Sequence, residues 1–268
     1  MQLLVLGMHR SGTSLLVRTL EGLGLWAGSE HDFNPPTAHD PEGHREHRLV
    51  WGLNESALAW IDRAWDNPYG IDWSRLSAGH RADVLGAINV AVDTLGHHPD
   101  WVAKDPRLSL TLPLWREIIR PPVIIVHRDP LEVARSLHSR DGLPIPAGLA
   151  MWEAYTRQAI TNSEGLDRLL LDHAELVTHP ARTTAQLDEW LASRRASPRP
   201  HQHVGAPVHD DLVRHRSTPA ETAALLDPQQ QRLLAAIVRA TADPDAEALS
   251  SLSSIAAEPG LGHLRERD

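Results

Sequence analysis

The chain contains no cysteine, which excludes disulfides and thiolate metal sites and leaves the redox compartment open. It has a single lysine, Lys104, and arginine supplies every other basic side chain. Arginine does not replace lysine where a compact point charge is needed, so one surviving lysine points to a position that requires it. Phe33 is the sole phenylalanine, and aromatics make up 4% of the 268 residues. Positive charge is not in excess: the formal net charge is −9. That balance argues against nucleic acid as a partner, which calls for a basic footprint. Any anionic ligand must be held by a local basic cluster working against the global field. No apolar run is long enough for a signal peptide or a membrane span, so the expectation is a cytoplasmic protein with no membrane partner. What is present, 41% hydrophobic and 23% charged residues, suits a globular protein with a full core.

The most telling segment comes first. Gln2–Leu6 reads as an apolar strand that runs into Gly7-Met8-His9-Arg10-Ser11-Gly12-Thr13-Ser14 and then into a helix. Two glycines at Gly-x-x-x-x-Gly spacing, followed by two more residues, give the pattern of a phosphate-binding P-loop. Gly7 and Gly12 permit backbone angles that let successive N–H groups converge on one anion. The helix, with Leu15, Leu16, Leu20 and Leu23 on one stripe, adds its positive dipole end. Ser14 fills the hydroxyl slot of the loop. The lysine slot holds Thr13, and the cation sits inside the loop as Arg10. An ATP-using loop needs that lysine on the β- and γ-phosphates; a donor without a γ-phosphate does not. A ligand-free glycine turn is the bland alternative, against which stand the strand, the arginine and the three hydroxyls together.

Strand and helix signals alternate along the chain. A polar stretch over 29–42 leads to a helical segment expected over 43–59, and further helices are expected over 81–94 and 109–119. Trp101-Val102-Ala103 reads as a short strand. Val123-Ile124-Ile125-Val126 is apolar on both faces, as in a buried parallel strand. Asp129-Pro130-Leu131-Glu132 reads as a helix start, with Asp as N-cap and Pro in the first turn. A helix over 148–162, a strand at Leu169-Leu170-Leu171, and helices near 181–192 and 228–241 follow. Repeated strand–helix units imply right-handed crossovers. The fold class expected is α/β, a three-layer P-loop fold with a central parallel sheet flanked by helices, its ligands at the carboxyl ends of the strands. One domain is expected over 1–245, with a surface loop over 193–211 and a frayed tail over 246–268.

A second anion site is suggested where the 123–126 strand ends in His127-Arg128-Asp129-Pro130, with Ser136 eight positions after Arg128. A nucleotide with phosphates at both its 5′ and 3′ ends would bridge the two sites. With these segments together the chain resembles the sulfotransferases that use 3′-phosphoadenosine 5′-phosphosulfate (PAPS). His9, Arg10, Ser11, Gly12, Thr13 and Ser14 are similar to that family's 5′-phosphosulfate loop. Arg128 through Ser136 is similar to its 3′-phosphate motif, and Lys104-Asp105-Pro106-Arg107 to its Lys-Asp-Pro element. Leu169-Leu170-Leu171-Asp172-His173-Ala174-Glu175-Leu176 is a weaker echo of a Tyr-Glu-Asp-Leu motif without its tyrosine, and no function is placed on it. The resemblance covers roughly 2–180.

The resemblance implies in-line transfer of a sulfuryl group to a small hydroxylated acceptor, leaving 3′-phosphoadenosine 5′-phosphate (PAP), with no metal. Arg10 would lie against the phosphosulfate, and Lys104 would stabilise charge on the bridging oxygen; pairing with Asp105 as an ordinary strand-end cation is the alternative for Lys104. Gly43-His44-Arg45-Glu46 matches a Gly-x-x-Glu of bacterial relatives, which makes Glu46 the first candidate for general base and His44 the second. Arg214 and Arg216 fall where the family places a loop over the 3′-phosphate, a solvated basic turn being the equal alternative. Trp51 and Trp60 fit core packing better than the cleft; an indole in the cleft would imply an apolar or aromatic acceptor. The histidines make no metal-ligand motif. The competing readings are a P-loop ATP-dependent small-molecule kinase and a nucleotide-binding protein without chemistry.

Overall fold

The computed structural model describes residues 1–35, 43–195, 216–258 and 260. Four strands, β1 (Gln2–Leu6), β2 (Trp101–Lys104), β3 (Val123–His127) and β4 (Arg168–Asp172), form one parallel sheet in the order β2-β1-β3-β4. Leu4 faces Ala103 on one side and Val123 on the other, and Ile125 faces Leu170. The helices in chain order are α1 (Thr13–Gly22), α2 (Arg48–Ala59), α3 (Ala78–Leu95), α4 (Leu108–Trp115), α5 (Pro130–Asp141), α6 (Ile145–Asn162), α7 (His173–Thr178), α8 (Pro180–Ala192), α9 (Pro219–Leu225), α10 (Pro228–Ala242) and α11 (Ala246–Ala257).

Strand alternation builds the three layers. Leu4, Leu6, Ala103, Val123 and Ile125 point to one face and pack with apolar residues of α2, α3, α4, α6, α10 and α11. Leu3, Val5, Val102, Ile124 and Val126 point to the other and pack with Leu16 and Leu20 of α1 and Leu187 and Leu191 of α8. A strand buried on both faces has no polar positions to spare, which is why β1 and β3 read as unbroken apolar runs. All four strands are parallel, so all their carboxyl ends lie along one edge. β2 and β3 flank β1 on opposite sides, which makes the end of β1 a switch point where a ligand crevice opens.

Three expectations need correcting. The helix expected from 43 begins at Arg48, because Gly43 and Arg45 have φ of 82° and 51° and break any helix there. His47 caps α2 by accepting from the Leu49 N–H, and Glu46 stands just ahead of the helix. The helix expected over 109–119 runs Leu108–Trp115 and continues only as turns to Ile119. The tail expected to fray from 246 is helical as α11: Asp245 caps it, and Ala248, Leu252 and Ala256 bury a thin stripe against α6 and α10. Arg157 of α6 donates to the Glu258 carbonyl just beyond its C-terminus, at 3.0 Å. The loop expected over 193–211 falls mostly on 196–215, outside the described residues.

Candidate active site

The loop after β1 has the shape that its glycines require. Gly7 has φ of 147°, and a Cβ there would stand 2.6 Å from the Val126 carbonyl oxygen; β1 and β3 approach too closely for a side chain. Its N–H donates to Ser109 Oγ at 3.0 Å. Gly12, at φ 85°, is the N-cap of α1, and a Cβ there would collide with the His173 ring. Arg10 has φ of 68°, a left-handed conformation that an L side chain adopts only when its surroundings hold it. The Arg128 guanidinium donates to the Arg10 carbonyl at 3.0 Å, and Arg10 Nε donates to Ser136 Oγ at 2.9 Å. The two anion-binding segments read from the sequence are therefore joined directly.

The end of β2 supplies the second half of the site. Lys104 is 2% exposed. Its Nζ donates to Glu46 Oε1 at 3.1 Å, to Ser14 Oγ at 3.3 Å and to the His44 carbonyl. The alternative of a Lys104–Asp105 pair is not what the geometry gives. Asp105 turns away from the cleft and accepts from Asn54 Nδ2, the Arg107 N–H and Arg107 Nη1. Burial pushes the Asp105 carboxyl up, with the Arg107 guanidinium pulling the other way. Arg107 is held between Asp105 and Glu55.

These groups line a cleft of about 510 Å³. Of the residues singled out in the sequence, His9, Arg10, Gly12, Thr13, Ser14, His44, Glu46, Lys104, Arg128 and Ser136 all border it. Ser11 is buried beneath the loop and is not among the lining residues. Arg216 is exposed, its carbonyl accepts from Arg135 Nη1, and it is not among the described lining residues. Arg214 lies outside the described residues. His44 borders the cleft, and its carbonyl accepts from Ser14 and Lys104.

Several lining residues were not assigned to the site from sequence, among them His173, Arg140, Trp65 and Trp51. His173, brought in by the end of β4, packs on Gly12; burial first, then Arg128 and His127, push its imidazole down to about 3. Arg140 lies over the Trp65 ring at 5.2 Å, and Trp65 itself faces the cleft. Trp51, expected in the core, lies in the first turn of α2, lines the cleft and is 38% exposed. Trp60 does pack against the core and stacks on His80. A strand-end position was the only available signal for His173, and nothing in the sequence marked Arg140. His9 is buried between Trp65 and Tyr155, with ring centroids 4.9 and 5.6 Å away. Burial, with Arg107, Arg140 and Lys104 nearby, keeps it neutral.

No protein-family model matches the chain, and no curated protein does. Solved structures do. The chain is similar to sulfotransferase domains. One is the sulfotransferase domain from the Synechococcus PCC 7002 olefin synthase, at 16% identity over 83% of this chain and 92% of that one, TM-score 0.48. Another is the sulfotransferase domain from the curacin biosynthetic pathway, at 16% identity over 84% of this chain and 82% of that one, TM-score 0.43. Among the described residues no cluster of three or more His, Asp or Glu could hold a metal, and no helix is long and apolar enough to cross a membrane.

Proposed function

We propose that the chain transfers a sulfuryl group from PAPS to a hydroxyl of a small acceptor. The observation that carries this reading is the position of Lys104 Nζ, which touches both Ser14 of the anion loop and the Glu46 carboxylate. A cation at that junction sits between a bound donor and a base. The donor's 5′-phosphosulfate would lie on the loop N–H groups and Arg10, its 3′-phosphate against Arg128 and Ser136. The acceptor oxygen would attack sulfur in line as the bond from sulfur to the 5′-phosphate oxygen breaks. Glu46 would take the hydroxyl proton, and Lys104 would move onto the bridging oxygen as negative charge develops there. Pre-set charge at a buried position is where most of the rate is gained in such transfers.

The kinase reading lacks a loop lysine, and β3 ends in His127-Arg128 where an Mg²⁺-binding Asp would be needed. A thermal-shift comparison decides between the readings. PAP should raise the melting temperature, and ATP with Mg²⁺ should not; the reverse pattern would overturn the proposal. With PAPS and a turned-over acceptor, Glu46→Gln should lower kcat by about 10²-fold or more, the size expected for loss of a general base. Stabilisation by PAP with no sulfation of any hydroxyl would favour a binding protein without chemistry.

A further inference from the structure

We propose that the part of the cleft beyond Glu46 is an acceptor site for a phenol, a flat aromatic ring carrying an acidic hydroxyl. This rests on the sulfuryl-transfer reading and adds the class of acceptor to it. Two independent observations carry it, one of shape and one of chemistry.

The first is the pair of indoles. Trp51 stands five residues after Glu46, in the first turn of α2, where its N–H donates to the His47 carbonyl at 2.9 Å. Its indole lines the cleft and is 38% exposed, more than any other Trp, Tyr or Phe side chain of the protein. Trp65 lines the same cleft and is held in place. Tyr155 donates its hydroxyl to the Trp65 carbonyl at 2.8 Å, Arg140 covers the ring, and Arg140 is itself tied to Asp141 at 2.7 Å. Beside Trp65 lies His9, whose Nε2 is buried with no hydrogen-bond partner among the described residues. A neutral imidazole there adds a third ring without adding charge next to Arg107 and Arg140. An aromatic guest can use offset or edge-on contacts with such rings; a polyol would leave their apolar faces unmatched.

The second observation is the base. Glu46 supplies a carboxylate, and its partner is the Lys104 ammonium. A carboxylate is a weak base, and general-base transfer is most effective when the proton donor is not far weaker as an acid than the conjugate acid of the base. A phenol, near pKa ~10 like tyrosine, meets that requirement much better than an aliphatic alcohol does. The step balances without a further reactant. The phenolic oxygen bonds to sulfur, the bond from sulfur to the 5′-phosphate oxygen breaks, the phenolic proton passes to Glu46, and PAP leaves with both electrons of the broken bond.

The test compares 4-methylphenol, benzyl alcohol, cyclohexanol and glucose with PAPS and the full chain, alongside PAP binding by calorimetry. The expected result is kcat/KM for the phenol at least about 10²-fold above each of the others. Trp51→Ala should raise the phenol KM about tenfold, consistent with losing an aromatic contact and its buried area, while leaving PAP affinity within twofold. Trp51→Phe should restore most of the loss. Trp51 is half in water, so its removal spares the fold; the PAP titration on each variant verifies that. Equal or better turnover of cyclohexanol or glucose, or a phenol KM indifferent to Trp51→Ala, would overturn the inference. So would PAP binding with no sulfation of, and no measurable binding to, the phenol. Failure of PAP to bind at all would bring down the sulfuryl-transfer reading, and this inference with it.

Discussion

An ammonium withdrawn from water needs acceptors on every N–H. Lys104 finds three of them: a carboxylate, a hydroxyl and a backbone carbonyl. Arginine at this place would be too long and planar to sit on all three, which gives the sole lysine of the chain its reason. In the proposed reaction this cation acts on the leaving oxygen. Lys104→Ala is therefore expected to lower kcat by about 10²- to 10³-fold, the size seen when one charge-stabilising donor is removed. PAP affinity should stay within a few-fold, and Lys104→Arg should not rescue. Stopped assays with calorimetry on the same preparations would separate the two effects; a pure affinity loss would make Lys104 a binding residue only. Lys104 could be picked out in the sequence because it is unique and strand-terminal. Its partner Glu46 rested on a resemblance, since the two left-handed residues that carry the chain past Lys104, Gly43 and Arg45, are invisible to helix periodicity.

At the level of elements, α5 shows how a cap can serve a site. Asp129 accepts from the Leu131 and Glu132 N–H groups at 2.9 and 3.0 Å, from Ser217 Oγ at 2.8 Å and from Thr222 Oγ1 at 2.7 Å. One carboxylate thus starts α5 and ties α9 to it, and α5 delivers Ser136 to Arg10. Asp129→Ala should destabilise the chain by about 1–3 kcal/mol, a cap plus the unsatisfied hydroxyls. It should also weaken PAP binding although Asp129 does not line the cleft; chemical denaturation and a PAP titration would check the pair. Denaturation unchanged within error would mean that α5 is held by other contacts. The cap was readable in Asp-Pro-Leu-Glu. The tie to α9 was not, because no local pattern announces a contact 88 or 93 residues away. For the same reason α11 was missed: its buried stripe of Ala248, Leu252 and Ala256 gives little signal until α6 and α10 are there to receive it.

Across the whole molecule, the parallel sheet gathers four strand ends at one edge, and with them a concentration of basic groups inside a chain of net charge −9. Several histidines at that edge lose proton affinity through burial. His9, His127 and His173 are all buried with imidazoles pushed down, burial being the leading cause in each. In the unfolded chain these rings take up protons near pH ~6.5, while folded His173 stays neutral until about 3. The unfolded state therefore binds more protons between those values, and stability falls as pH drops below about 6.5, by up to about 1.4 kcal/mol per unit for each such ring. Above that pH the folded state keeps its full margin. Melting temperatures recorded from pH 8 to 5 should decline toward acid, and His173→Asn should flatten the slope. A slope unchanged by that substitution would place the proton uptake elsewhere.

Because Lys104 is the only side-chain amine in the chain and its Nζ is turned inward, amine chemistry on this protein has one side-chain address. In the folded state an acylating reagent meets a surface of guanidiniums, which it leaves alone. Lysine modification, whether by a laboratory reagent or by a cellular acyl donor, then becomes an all-or-none report on a single atom. It proceeds only as far as the cleft admits the reagent, a nucleotide in the cleft would shield it, and each molecule modified is one whose proposed reaction has been switched off.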